Sequence, residues 1–179
     1  MKNIVVTMAL LVLCSAILLF QMDANMTERE SYRVKYTADR MAGAATLFTD
    51  PYWYGRGRIV FEDSEGLGAA LEIFRDNLGY GGSFFPARNT FFTEAARVSL
   101  CFFDDSLNAR RYVNGALASE FSFSYGEDAG VYDAAFAGDG FIIEKPCVLC
   151  VIDAGRPALR ASLLSGSVKI VKKSIYEYK

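Results

Sequence analysis

Two cysteines three residues apart, Cys147-Val-Leu-Cys150, have the spacing of a redox pair or of half a metal site. Both chemistries need thiolates, which form at helix N-termini or beside cations. This pair lies instead in Pro146-Cys-Val-Leu-Cys-Val-Ile152, an apolar run with strand character. Residues three apart on a strand point to opposite faces, so the two thiols are not expected to meet. Burial as small hydrophobes is one expectation for Cys101, Cys147 and Cys150. A disulfide from Cys101 to either of the others is a second, in a compartment that permits one. Zinc or redox chemistry is the third.

Histidine is absent from the 179 residues. That removes Ser-His-Asp and Cys-His nucleophilic sites, and histidine-based zinc sites with them. Phe103-Asp104-Asp105-Ser106-Leu107-Asn108 resembles a faded Asp-x-Ser-x-Ser metal motif of von Willebrand A-type domains, with Asn at the third position. A polar turn closing a strand is the simpler reading, since Asp, Ser and Asn are ordinary turn formers. Glu127, Asp128, Asp133 and Asp139 lack the spacing of a calcium loop. Gly55-Arg-Gly-Arg58 lacks the strand and helix-opening glycine loop of a phosphate site and reads as a solvated turn. Nothing here supports an enzyme or asks for a cofactor or metal. With 19 basic and 21 acidic residues the net charge is −2, which gives no footprint for nucleic acid.

What positions these residues begins with a membrane segment. Ile4–Phe20 is an uncharged apolar run, and with Gln21 and Met22 it meets the roughly 20 residues that a spanning helix requires. No small-x-small cleavage site follows it, because Leu18, Leu19, Phe20, Gln21 and Met22 are all large. The expectation is an uncleaved anchor over residues 1–22 and an extracytoplasmic domain over residues 23–179. Lys2 and the amino terminus are positive, whereas Asp23, Glu28 and Glu30 lie beyond the run, which predicts a cytoplasmic N-terminus.

Helical patterning continues to about Thr49, with Val34, Ala38, Met41, Ala42, Ala45 and Leu47 forming an apolar stripe. The helix must stop before Asp50-Pro51, and Tyr52-Trp53-Tyr54 reads as a loop or edge segment. A second helix fits Leu67–Leu78, entered at Asp63-Ser64 and ended by Gly79. Strand-like runs follow at 96–103, 118–125, 131–136, 140–144, 147–152, 159–164 and 167–178, the last as an edge strand. Helices first and strands later predict an α+β fold with a mainly antiparallel sheet.

The stretch from Asp23 through Tyr32-Arg-Val-Lys-Tyr-Thr-Ala-Asp-Arg-Met-Ala-Gly-Ala-Ala45 resembles the opening of TadE/TadG-type proteins of tight-adherence (Flp) pilus assembly. Asp23 matches the acidic position after the membrane helix, and Ala38-Asp39 with Ala42, Ala44 and Ala45 matches the alanine-rich close. The resemblance covers residues 4–48. The chain departs from pilin-like members, which carry a Gly-containing cleavage site and an early Glu, so a TadG-like or minor-pilin-like component fits better. The resemblance implies a structural, membrane-anchored role with other pilus or secretion-assembly subunits as partners, and Asp23, Tyr32, Lys35, Asp39 and Met41 as candidate contacts. Packing within the chain is the competing role for Met41 and the alanines. A membrane-tethered ligand-binding or sensor module acting through a partner is the alternative function.

Overall fold

The computed structural model describes residues 2–87, 91–132, 136, 140–158 and 169–179. One helix, α1, runs from Lys2 to Ala45 without a break, 44 residues and about 65 Å long. Every residue from Ile4 to Met22 is exposed. The inward face changes character beyond that segment. Asp23 is buried, and Val34, Thr37, Ala38, Met41, Ala42 and Ala45, at helical spacing, lose all contact with solvent. The upper half of α1 is therefore part of the core and not a free-standing stalk. The helix ends four residues before the expected Thr49, where Thr46 turns its hydroxyl back to the Gly43 carbonyl at 2.8 Å.

A single-turn helix, α2 (Pro51–Tyr54), and a longer one, α3 (Asp63–Leu78), follow. Glu62 rather than Asp63 or Ser64 holds the cap position of α3 and makes no side-chain cap bond, while Gly79 closes the helix as expected. Five strands then form one antiparallel sheet: β1 (Arg97–Phe103), β2 (Asn108–Val113), β3 (Ala116–Ser122), β4 (Cys147–Asp153) and β5 (Val171–Glu177), in the spatial order β3-β2-β1-β4-β5. The architecture is α+β, a long helix and a shorter one followed by an antiparallel sheet. Among the described residues, the expected strands at 131–136 and 140–144 are instead a 3-10 turn (Ala129–Val131) and an isolated bridge between Asp128 and Ile142. The run expected at 159–164 lies outside the described residues. β2 was not expected at all. It pairs with β3 through the two-residue turn Asn114-Gly115, both with positive φ, the geometry that tight hairpins require.

Contacts fix the directions of the elements. Lys35 reaches the Lys173 carbonyl, Asp39 accepts from the Ser174 hydroxyl, and a Cβ at Gly43 would stand 3.5 Å from the Tyr176 ring. β5 thus climbs alongside α1, away from the apolar end. Running antiparallel, α3 starts beside the top of α1 and descends over β1 and β2. Gly66 is the point of closest approach, since a Cβ there would meet the Ala45 carbonyl at 2.9 Å.

Strand alternation sends Val98, Leu100, Phe102, Val148, Cys150 and Ile152 toward the helices. Cys101, Phe103, Cys147, Leu149 and Val151 face the other way, under a cover that includes Phe123, Ala129, Tyr132, Phe136, Phe141 and Ile143. There the Phe103 and Phe123 rings meet edge to face at 5.0 Å, and Phe121 stacks on Tyr132 at 4.9 Å. Both faces of the central strands are buried, which explains why β1 and β4 read as continuous apolar runs. Each fully buried Phe or Leu contributes about 1.5–3 kcal/mol through removal from water.

Candidate interaction surface

Just beyond β1, the Asp104-Asp105 turn ties distant segments together. Asp104 is fully buried. Its Oδ1 accepts from the Ser106 N–H at 3.0 Å and from the Ser106 hydroxyl. Its Oδ2 accepts from the Phe61 N–H at 3.2 Å and from the Arg110 guanidinium. Arg110 also stands 2.8 Å from Asp63 Oδ2, and the Tyr112 hydroxyl donates to that same oxygen at 2.9 Å. Asp105 exchanges two bonds with the Ile59 backbone, at 2.7 and 2.9 Å, and accepts from the Tyr125 hydroxyl at 2.9 Å.

These contacts make a clamp. Both Asp104 oxygens are taken, by backbone N–H groups, by the Ser106 hydroxyl and by Arg110, which supplies the compensating positive charge. Asp63 is the uneasy member. Burial raises its carboxyl from the ordinary 3.8 to about 6, against the opposing pull of Arg110. One of its oxygens is buried without a hydrogen-bond partner. The Tyr112 hydroxyl is pushed up to about 12 by burial and by its bond to Asp63.

The clamp holds the base of a loop spanning residues 49–61. Its two ends pair: Thr49 bridges Phe61, the Asp50 N–H donates to the Val60 carbonyl at 2.8 Å, and the Glu62 N–H donates to the Phe48 carbonyl at 3.0 Å. Inside the loop, Asp50 caps α2 by accepting from the Tyr52 N–H at 2.8 Å, with Pro51 preset in the first helical position. The Arg56 and Arg58 N–H groups both donate to the Trp53 carbonyl. A short surface loop is thereby made rigid.

The groups it displays are aromatic and cationic. Tyr52 and Tyr54 are more than half exposed. The Arg56 guanidinium lies 3.9 Å from the centre of the Tyr52 ring, and that of Arg58 lies 5.8 Å from the Trp53 ring. Neither arginine pairs with a carboxylate among the described residues. Trp, Tyr and Arg are the residue types that carry most of the energy at protein interfaces, above all on rigid, preorganised backbone.

The sequence candidates fall elsewhere. Met41 is fully buried in the core and Asp23 is buried within the chain, so neither is presented to a partner here. Lys35 and Asp39 form an ion pair at 2.7 Å and fasten α1 to β5. Tyr32 alone of the five stands clear, 69% exposed, with Tyr36 one turn above it.

The cysteine pairings considered from sequence are not formed: all four cysteines are unbridged thiols. Cys150 faces the helices while Cys101 and Cys147 face the cover. Burial pushes the Cys147 thiol up to about 12 and also raises that of Cys150, which disfavours the thiolate form that redox chemistry needs. In sequence the loop reads as two unrelated pieces, a Tyr-Trp-Tyr segment and a basic turn. The available signal was their union, since Tyr52, Trp53, Tyr54, Arg56 and Arg58 fall within seven residues.

One further surface is the exposed apolar part of α1, Ile4–Met22, which belongs to the one helix among the described residues that is long and apolar enough to span a bilayer. No protein-family model, curated protein or solved structure matches the chain.

Proposed function

We propose that this chain is a single-pass structural or assembly component of a bacterial surface pilus or secretion apparatus, with its N-terminus in the cytoplasm and residues 23–179 outside. The observation that carries the reading is α1. One unbroken helix is exposed and apolar over Ile4–Met22 and becomes the buried spine of an α+β domain above it. Hydrocarbon is the solvent that removes the cost of such exposure. The resemblance of residues 4–48 to TadE/TadG-type proteins supports the assembly role, and the charge asymmetry about the apolar run supports the orientation. The reading includes no catalysis, in keeping with a sequence that contains no histidine.

Shearing surface filaments from cells that make the tagged protein tests this directly. Recovery with the filaments identifies a minor subunit, and retention in the membrane with filaments lost on deletion identifies an assembly scaffold. Retention with surface assemblies unaffected by deletion refutes the reading.

A further inference from the structure

The arginine–aromatic loop has a counterpart on the same molecule. The cover over the far face of the sheet carries Glu127, Asp128 and Glu144, with Lys145 as the basic residue beside them, and exposes Val131 (74%) and Ile142 (52%). Acidic groups around apolar tips complement cationic groups around aromatic ones.

Their placement matters more than their charge. The Tyr178 ring, just past the upper end of β5, lies 6.4 Å from that of Phe61 at the base of the loop, so the loop sits at the end of the domain far from the apolar segment and on the helix side of the sheet. The base of the cover is at that same end, where Tyr125 bonds to Asp105 and the Gly126 N–H donates to the Ile143 carbonyl. It lies on the opposite face. The two patches thus stand at similar height above a membrane and on opposite sides of the sheet. Copies anchored in one bilayer with the same orientation can meet front to back without tilting.

We propose that the 49–61 loop of one copy docks on a neighbouring copy in the same membrane, at the patch formed by Glu127, Asp128, Val131, Ile142 and Glu144. The contact joins two different patches, so each copy keeps one of each unused and the array extends or closes into a ring. The inference rests on the reading of the chain as a membrane-anchored assembly component, and it names the partner as a second copy.

The test uses the full-length chain in its own membrane. One tagged copy carries Tyr54→Cys and a differently tagged copy carries Val131→Cys, and mild oxidation follows. A mixed disulfide is expected, formed only when both copies are present. Arg56→Glu with Arg58→Glu in the first copy lowers its yield about tenfold or more, and Glu127→Lys with Glu144→Lys in the second restores it. Absence of the mixed species from well-inserted variants overturns the proposal. So does a cross-link indifferent to charge reversal, or one formed equally by Tyr54→Cys alone, which indicates a symmetric contact. Loss of surface assemblies on deletion, with no cross-link, sinks the self-docking and leaves the assembly role standing. A charge-dependent cross-link with no deletion phenotype does the reverse.

Discussion

Replacing Asp63 by asparagine isolates the least settled charge in the fold. In the folded chain this carboxyl titrates at about 6 instead of 3.8, chiefly because burial disfavours its ionised form. The folded state therefore holds the proton more tightly than the unfolded state does. Stability from this group is fully present below pH 3.8, declines as the pH rises through the window, and is gone above about 6. At about 1.4 kcal/mol per pH unit the full change amounts to at most about 3 kcal/mol. Solvent at the rim, where Arg110 is partly open, screens this toward about 1 kcal/mol.

Asparagine keeps an acceptor for Tyr112 and carries no charge, and Arg110 retains Asp104. Asp63→Asn is accordingly more stable than the parent by about 1–3 kcal/mol at pH 7.5, a rise in midpoint of about 2–10 °C for a domain of this size. The advantage shrinks to nothing by pH 4. Thermal unfolding in detergent micelles, followed by the fluorescence of Trp53, the single tryptophan, reads out the loop that the clamp holds. A difference that stays flat between pH 4 and 7, or a parent that gains on the variant as pH rises, refutes the reasoning. Either result means that Arg110 outweighs burial.

Other perturbations follow the same contacts. Met41→Ala removes a fully buried side chain and lowers stability by about 2–5 kcal/mol, whereas Tyr32→Ala on the outer face of α1 stays within about 0.5 kcal/mol, both by chemical denaturation. Gly66→Ala drives a methyl to 2.9 Å from the Ala45 carbonyl, so α1 and α3 must separate, at about 1–3 kcal/mol in the same assay. Cys101, Cys147 and Cys150 resist a maleimide in the folded chain and react once it is denatured, as mass spectrometry of the labelled protein shows.

How much of this was legible beforehand depends on which residues carried the signal. β1 and β4 announce themselves because both faces are buried: Cys147–Ile152 is apolar throughout, and Val98–Phe103 is apolar but for Ser99. The apolar stripe of α1 from Val34 to Ala45 is equally plain from its helical spacing. β2 hid because Arg110 and Arg111 make it look like a polar turn. Their partners are Asp104 and Asp63 for the first and Ser99 for the second, and only Asp104, six residues away, lies close in sequence. The Asn114-Gly115 turn was the missed clue, a hairpin signal that needed strands on both sides. Phe136, Phe141 and Ile143 suggested strands for the opposite reason: they are apolar because they plug the far face of the sheet, which irregular backbone can do as well. Sequence reasoning placed partner contacts on α1, where helical spacing is easy to see. It passed over a loop whose rigidity comes from Asp104 and Asp105, more than 40 residues away.

The account stands on α1 being both membrane anchor and domain spine, with the loop held outside. A membrane-impermeant maleimide applied to intact spheroplasts carrying Tyr54→Cys measures this most directly, with the membranes then washed in alkaline carbonate. The account predicts a chain that is labelled before lysis and remains with the membrane pellet. Labelling that requires lysis, or release of the chain into the carbonate wash, contradicts it.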